Sequence, residues 1–317
     1  MIHGILLADK PSGPTSHDVV GKIRATLHIK KVGHAGTLDP FATGLLVVMI
    51  GYATRLSDAL MADEKVYEAR LRWGEQTDTG DCDGQVIERT DAPIPDEGAI
   101  RDAMAGFVGT IMQTPPAYSA KKLNGKPSYK LAREGKEVER KPVPVTVHDL
   151  ALIAVHEDGF SFSVRCGKGL YVRTLGEEIA HTLGGRGHLC ALRRLSIGDF
   201  SVGDAIAIPG RNVHLDENKV KKMIIPLENL CNRFPAVHIN DDAAARVRYG
   251  QIPTVGQIKA ADPFVEGQWV RMLGFDRQLL AVCQASRGFS ELQKLEPEEK
   301  FLFMKANFSA SEEPGKK

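Results

Sequence analysis

The spacing of hydrophobic residues changes several times along the chain, and each spacing predicts a different kind of element. An unbroken apolar run at 45–50 predicts a buried strand. Apolar and polar residues alternate through 67–73, which indicates a half-exposed strand. Apolar residues at helical spacing within 97–108 predict an amphipathic helix. Strands and helices are therefore interleaved in this part of the chain.

Turn and capping residues mark the ends of further elements, in both directions along the chain. The further predicted elements are a strand at 4–8, a helix from Thr15 or Ser16 to about Leu27, a short helix at 54–60, a hairpin joining 145–155 to 160–166, a helix at 170–183, a strand at 189–197, a helix at 241–250 and a hairpin joining 269–275 to 278–283. Their order predicts a mixed α+β fold, and the change of pattern near residue 236 indicates a second, smaller domain.

Length and composition narrow the class of protein without identifying it. The 317 residues are enough for two domains of roughly 100–200 residues each. Hydrophobic content of 43% and charged content of 26% are ordinary for a soluble globular protein. No apolar run approaches the roughly 18 residues that a membrane-spanning helix needs, and the N-terminus does not resemble a signal peptide. We therefore expect a cytoplasmic protein without a membrane segment.

The five cysteines and ten histidines show no pattern typical of a metal site. The cysteine count is odd and no CxxC occurs, so neither a disulfide framework nor a zinc ribbon is indicated. The histidines lack HxxxH and HExxH spacing. The sequence therefore predicts no metal.

The net charge of +1 conceals two segments of opposite sign. Residues 119–141 contain eight Lys or Arg and three Glu, and Tyr118 and Tyr129 lie in or beside this segment. Residues 75–102 contain nine acids and two arginines. A charged run is usually a solvated surface, but basic residues interleaved with tyrosines also suit the phosphates and bases of RNA.

One carboxylate stands out in the segment GHAGTLDPFATGLL at 33–46. Asp39 lies in a loop just before the buried strand, and Gly33, Gly36 and Gly44 are expected to relax the backbone around it. A carboxylate on a loop at the mouth of a strand is suited to catalysis. An Asp before a proline is, however, more often an ordinary turn residue, and the pattern alone favours that reading.

This segment closely resembles the catalytic motif of the tRNA pseudouridine synthase B family, in which the Asp of GTLDP is essential. Four further segments resemble motifs of the same family: ADKPSGPTS at 8–16, KVYEARLRWGEQTDTGDCDG at 65–84, PPAYSAKKLNGKPSYKLAREG at 115–135 and CGKGLYVRTL at 166–175. Five motifs in the right order are far more specific than one, and the resemblance covers nearly the whole chain.

The resemblance assigns roles to individual residues. It makes Asp39 the catalytic carboxylate, Arg173 the arginine that pairs with it, and Tyr67 the ring that stacks on the target uracil. It places Tyr171 and Leu192 in the lining of the same pocket. An adjacent guanidinium is expected to lower the pKa of the catalytic carboxyl group and keep it ionised.

Two further side chains belong to the predicted substrate-binding set. By resemblance, His34 fills the space that an extruded nucleotide vacates. Lys10 flanks the site and is suited to hold a phosphate, although a solvated lysine is an equal alternative.

The resemblance implies isomerisation of uridine 55 in the T-loop of tRNA, with the target base flipped into a cleft that contains Asp39. The reaction breaks the bond from N1 of uracil to C1′ and joins C1′ to C5. One ionised Asp suits covalent attack or proton removal, so attack at C1′, attack at C6 and a glycal route all stay open. No metal or cofactor is required. The expected partner is the T-arm of tRNA, and we expect a monomer with no obligatory protein partner.

The resemblance also implies the layout of the chain. Residues 1–235 would form a catalytic domain with the pseudouridine synthase fold, a largely antiparallel central sheet flanked by helices. An insertion at about 115–144 would grip RNA. Residues 236–306 would form a small PUA-like RNA-binding β-barrel, and residues 307–317 a disordered tail.

Other functions stay open on the sequence alone. A guide-RNA-dependent synthase shares the GTLDP-type motif, but the basic insertion and the lack of long basic tails favour a stand-alone enzyme. A non-catalytic RNA-binding or RNA-folding factor would not need Asp39, and a nucleoside hydrolase would release free uracil. The segment DTGDCDG at 78–84 does not fit a calcium loop and is interpreted as a polar turn.

Overall fold

Residues 2–116, 140–210 and 213–308 are described by a computed structural model, which also gives the backbone of short strands at 122–123 and 126–127. The helices are Ser16–Leu27, Ser57–Ala62, Glu97–Ala105, Val172–Thr182, Glu217–Lys222, Leu227–Cys231 and Asp241–Val247, and shorter 3₁₀ helices cover Gly51–Leu56, Val202–Asp204, Val255–Gln257 and Phe289–Lys294. The strands are β1 (Gly4–Lys10), β2 (Val32–Ala35), β3 (Thr43–Ile50), β4 (Lys65–Trp73), β5 (Glu75–Thr77), β6 (Val86–Arg89), β7 (Gly109–Gln113), β8 (Lys122–Leu123), β9 (Lys126–Pro127), β10 (Val143–His156), β11 (Gly159–Cys166), β12 (Gly187–Ile197), β13 (Phe200–Ser201), β14 (Ile206–Ala207), β15 (Ile225–Pro226), β16 (Ala236–Ile239), β17 (Ile258–Ala261), β18 (Trp269–Leu273), β19 (Leu279–Ala285) and β20 (Leu302–Asn307).

Most strands belong to two sheets. An eleven-stranded sheet has the order β14-β1-β3-β12-β4-β11-β10-β7, with β2, β13 and β15 paired to β3, β12 and β1. Within it β1 runs parallel to β14 and β3 parallel to β12, while the other described pairs are antiparallel. A second sheet of five strands has the order β17-β16-β18-β19-β20. The predicted mixed fold with a largely antiparallel central sheet is confirmed.

The centre of the first sheet is covered on both faces. On one face Val19, from the helix Ser16–Leu27, packs in the same core as Leu46. On the other face Leu45 and Val47 enter a core that also contains residues of the second sheet. A strand with both faces buried can be apolar at every position, which explains the unbroken run in β3.

Strand β4 shows the predicted half-exposed pattern. Tyr67, Ala69, Leu71 and Trp73 are buried, and the residues between them are partly or fully exposed. The buried set packs against the helix Val172–Thr182. Tyr67 therefore lies on the face of the sheet against which that helix packs.

Glycine is required where β3 meets β12. Gly44 has φ +99°, and a Cβ there would lie 2.3 Å from the carbonyl oxygen of Arg194. Gly36, in the loop before β3, also has a positive φ of +88°. Gly33 lies within strand β2 and has no positive φ, so the prediction that it relaxes the loop is wrong.

Several predicted helices are shorter in the structure. The helix predicted at 97–108 ends at Ala105, with Gly106 as its cap. The helix predicted at 241–250 ends at Val247, and Gly250, at φ +80°, lies in the turn that follows. Apart from the backbone of β8 and β9, residues 117–139 of the predicted RNA-gripping insertion lie outside the described residues, as do residues 309–317 of the tail.

Candidate active site

The loop that carries Asp39 joins β2 to β3 and is fixed by residues just before and at the start of the first helix. The Ser16 hydroxyl accepts a hydrogen bond from the Leu38 N–H (2.8 Å) and donates one to the Leu38 carbonyl (3.1 Å). The Gly13 N–H donates to the Pro40 carbonyl (2.9 Å). Two motifs that are separate in the sequence therefore form one structural unit around the carboxylate.

Lys10 belongs to the same unit, and the prediction that it holds a phosphate is wrong. Its side chain is fully buried, and its Nζ donates to the carbonyls of Pro11 (2.9 Å) and Pro40 (3.0 Å). Burial lowers the pKa of Lys10 to about 8, and nearby Asp39 acts against that shift. A lysine with no exposed surface supports the loop rather than contacting RNA.

Arg173, on the first turn of the helix Val172–Thr182, lies between two carboxylates. Its Nε is 2.9 Å from Asp39 Oδ2, and its Nη2 donates to Asp39 Oδ1 at 3.3 Å. Its Nη1 is 3.3 Å from Asp81 Oδ2 and also donates to the Thr79 carbonyl. The Arg173 side chain is 4% exposed and that of Asp39 is 34% exposed. The structure thus contains the pairing that the resemblance implied, with a second acid added.

The net effect of this environment is to raise the pKa of Asp39. Burial is the largest cause, Arg173 acts in the opposite direction, and Asp81 adds to the rise. Arg173 does act to lower the pKa of this carboxyl group, as expected, but burial outweighs it and the net shift is upward. Arg173 interacts with two carboxylates. Its attraction for Asp39 therefore does not outweigh the effect of burial on the pKa of Asp39.

A cavity of about 360 Å³ opens beside Asp39. Tyr67, Tyr171 and Leu192, which the resemblance assigned to the pocket, all contribute to its lining together with Arg173. Tyr67 is 8% exposed, and burial raises the pKa of its phenol. The structure therefore brings five of the predicted site residues together at one opening.

The start of the helix that carries Arg173 is fixed by a buried glutamine. The Gln113 side chain accepts from the Tyr171 N–H (2.8 Å) and donates to the Tyr171 carbonyl (3.2 Å). These bonds hold Tyr171 extended as the helix cap. The helix consequently begins at Val172 rather than at the predicted residue 170.

His34 does not share the lining of this cavity. It lies on β2, where burial and then the charge of Arg194 lower its pKa. Its predicted role in replacing an extruded nucleotide stays a prediction.

Two kinds of feature are absent from the described part of the chain. No group of three or more His, Cys, Asp or Glu residues in that part is arranged to hold a metal ion. No helix there is long and apolar enough to cross a membrane.

Comparison with known proteins identifies the family. Residues 24–172 match the N-terminal domain of the TruB family of pseudouridylate synthases. A tRNA pseudouridine synthase B of Syntrophotalea carbinolica is 42% identical over 273 residues, which cover 86% of this chain and 89% of that protein. The chain belongs to the TruB family. A tRNA pseudouridine synthase B of Burkholderia pseudomallei strain 668 is 39% identical over 294 residues, or 93% of this chain and 97% of that protein.

Solved structures support the same fold for this TruB family chain. It matches a chain in a Cbf5-Nop10-Gar1 complex with a TM-score of 0.74 and 26% identity, covering 97% of this chain and 85% of that one. A chain of an archaeal box H/ACA sRNP Nop10-Cbf5 complex gives a TM-score of 0.72 and 25% identity, covering 97% and 86%. The protein is thus a pseudouridine synthase by family and by fold.

Sequence reasoning missed three residues of this TruB family site. The sequence predicts only a polar turn around Asp81, yet the Asp81 carboxylate is 8% exposed and contacts Arg173. The sequence predicts Ser16 only as a candidate helix cap and assigns no role to Arg194, which lines the cavity. The segment DTGDCDG contains three aspartates, which is more than a turn requires. This excess indicates that an acid such as Asp81 has a further role. No local pattern distinguishes Ser16 or Arg194.

Proposed function

We propose that this protein converts uridine 55 in the T-loop of tRNA to pseudouridine, with Asp39 as the catalytic carboxylate. The observation that carries the proposal is a partly exposed carboxylate, held by a buried arginine, at the opening of a cavity lined by Tyr67 and Tyr171. The cavity volume of about 360 Å³ lies in the range of small-ligand sites. A flipped nucleotide is a ligand of suitable size and shape.

The reaction needs no second substrate, because uridine and pseudouridine are isomers. The N1–C1′ bond breaks, C1′ bonds to C5, the hydrogen of C5 is lost, and N1 gains a proton. Asp39 acts on the ribose or on C6 of the base, by covalent attack or by proton removal. The ring of Tyr67 supports the uracil by stacking while it turns, and Arg173 holds the carboxylate in place. The choice among the three routes stays open.

The substrate is recognised through the shape and the splayed bases of the T-arm. The basic segment at 119–141 supports this part of the proposal by its charge. Residues 1–235 would act as the catalytic domain and residues 236–306 as a PUA-like RNA-binding domain. We further propose that the protein works as a monomer in the cytoplasm without an obligatory protein partner.

Mapping of pseudouridine at single-nucleotide resolution tests the proposal. An unmodified tRNA transcript is incubated with the purified protein alone, and in parallel with Asp39→Asn. We expect pseudouridine at the T-loop uridine with the first protein and none with the second, while both bind the transcript. Product formed by Asp39→Asn would overturn the assignment of the carboxylate.

The same assay separates the alternatives. Free uracil in place of pseudouridine would indicate a hydrolase. Retained tRNA binding without product would favour a guide-dependent enzyme or an RNA-folding factor. Adding a guide RNA complementary to the substrate then distinguishes those two.

A further inference from the structure

Gln113 lies at the base of the predicted RNA-gripping insertion. It is the last residue of β7, the strand at one end of the order of the large sheet, and its register partner in β10 is Val143. Most of the insertion therefore leaves and re-enters the sheet between these two residues. Gln113 is only 1% exposed, so its side chain is directed into the protein and away from solvent.

The side-chain amide of Gln113 binds both backbone groups of Tyr171. Its oxygen accepts from the Tyr171 N–H (2.8 Å), and its nitrogen donates to the Tyr171 carbonyl (3.2 Å). A planar amide that makes both bonds fixes the position and the orientation of the backbone that it contacts. Tyr171 caps the helix Val172–Thr182 without a capping hydrogen bond from its own side chain. Gln113 thus supplies, from another element, the restraint that a capping side chain supplies within a helix.

Two side chains of the cavity depend on the position of this backbone. Tyr171 lines the cavity itself, and Arg173, two residues further on, contacts Asp39 at 2.9 Å. Because Arg173 lies on the first turn of the helix, a shift of the helix start moves its guanidinium relative to the carboxylate. A displacement of about 1 Å in an active site can cost roughly a hundredfold in rate.

We propose that Gln113 is a positioning residue: from the base of the insertion it holds Tyr171, and through Tyr171 the start of the helix that carries Arg173, in a fixed relation to Asp39. The chemical step that it serves rests on the proposed function. The contact between Gln113 and Tyr171 can be tested without it.

Nuclear magnetic resonance of protein labelled at the backbone nitrogen of tyrosine alone tests the contact. The chain has six tyrosines, and the amide signal of Tyr171 is identified by its loss in Tyr171→Phe. Gln113→Met keeps the length of the side chain and removes its acceptor and its donor. We expect the Tyr171 amide signal to shift and its hydrogen to exchange with solvent at least about tenfold faster.

Gln268→Met is the matched control. Gln268 also accepts from a backbone N–H, that of Val265 (3.0 Å), but it lies just before β18 and does not line the cavity. Its substitution should leave the Tyr171 signal unchanged. An unchanged Tyr171 amide in folded Gln113→Met overturns the proposal.

The wild-type protein answers the same question if Gln113→Met does not fold. An N–H held by a buried acceptor exchanges slowly, so we expect the Tyr171 amide to be protected at least about a hundredfold relative to an unstructured chain. An unprotected Tyr171 amide contradicts the contact.

Single-turnover kinetics measure the consequence for catalysis. Gln113→Met is expected to slow pseudouridine formation roughly tenfold at saturating enzyme, and to change the tRNA dissociation constant less than about twofold. Gln268→Met should keep the wild-type rate. A loss confined to tRNA binding overturns the positioning role.

The pH profile distinguishes positioning from a loss of stability alone. Arg173 opposes the rise that burial and Asp81 cause in the pKa of Asp39, with a smaller contribution from Lys10. If Gln113→Met loosens Arg173, the pKa of Asp39 rises further and the acid limb of the rate moves to higher pH. A slower rate with an unmoved acid limb overturns the positioning role. A wild-type protein that forms no pseudouridine contradicts the proposed function, and the amide signal still decides whether Gln113 holds Tyr171.

Discussion

At the scale of single residues, burial raises the pKa of Asp39, and Arg173, which is shared with Asp81, only partly opposes that rise. Arg173 contacts Asp39 through two nitrogens and Asp81 through a third, so two carboxylates share one buried arginine. A carboxylate with an arginine of its own would be more fully neutralised and less basic. The shared arrangement leaves the pKa of Asp39 raised, which suits a group that removes a proton or attacks carbon.

The raised pKa predicts the acid side of the pH profile. In the proposed reaction Asp39 acts as a carboxylate, so we expect activity to be present above its pKa and to be lost as the pH falls through it. Because the pKa is raised, we expect this loss to be centred above the ordinary value of 3.8. Single-turnover rates between about pH 4 and 7, with tRNA affinity measured at each pH, check the expectation. A rate that stays level down to pH 4, with binding intact, would contradict it.

Asp81 provides a more specific test of the same site. Asp81→Asn removes a charge that raises the pKa of Asp39, so we expect the acid limb of the rate to move to lower pH. We also expect the rate at neutral pH to fall roughly tenfold, because Arg173 loses one of the groups that orient it. Asp83→Asn, an exposed acid in the same turn, is the control and should change neither quantity. An acid limb that does not move in Asp81→Asn would show that the two carboxylates are not coupled.

At the scale of elements, the loop that carries Asp39 depends on the first turn of the helix Ser16–Leu27. Ser16→Ala leaves the buried N–H and carbonyl of Leu38 without their partner, at a cost of about 1–3 kcal/mol in unfolding free energy. We expect the reaction rate to fall about tenfold or more as well, because the loop that carries Asp39 is less firmly held. Thermal unfolding and single-turnover rates measure the two effects.

Thr15→Ala is the matched control for this clamp. Thr15 caps the same helix through Asp18 and is exposed, so its loss should cost about 0.5–2 kcal/mol in unfolding free energy. In the described structure the hydrogen bonds of its side chain go to Asp18 and not to the loop, and the rate should stay near the wild-type value. Equal losses of rate in the two variants would mean that helix stability, rather than the clamp, controls the loop.

The sequence predicted these elements better than it predicted their contacts. Apolar spacing is local, and it identified β3, β4 and the helix that carries Arg173 to within a few residues. The pairing of Asp39 with Arg173 came only from the resemblance, because the two are joined by folding and not by spacing. Asp81 and Arg194 were missed for the same reason: what makes them part of the site is burial against residues distant in sequence. Helix ends were misplaced where a tertiary contact, such as that of Gln113, set the boundary.

At the scale of the whole molecule, the two sheets share a core. Val282 of β19 and Ala306 of β20 pack in the same cluster as Leu45 and Leu230 of the first part of the chain. Phe234 and Trp269 are in ring contact at 6.4 Å. Two units that bury apolar residues against each other lose that stabilisation together, so the second sheet is coupled to the sheet that holds Asp39.

This shared core predicts that both sheets unfold in one transition. Each sheet holds one of the two tryptophans, Trp73 in β4 and Trp269 in β18. In Trp73→Phe and in Trp269→Phe, we expect urea transitions followed by fluorescence and by far-ultraviolet circular dichroism to coincide.

Leu230→Ala, in the shared core, should cost about 2–5 kcal/mol in unfolding free energy and lower the midpoint of the transition reported by each tryptophan. Phe303→Ala, at a side chain that is 61% exposed, should change the unfolding free energy by less than about 0.5 kcal/mol. A midpoint that falls for Trp73 alone would mean that the second sheet unfolds independently of the first.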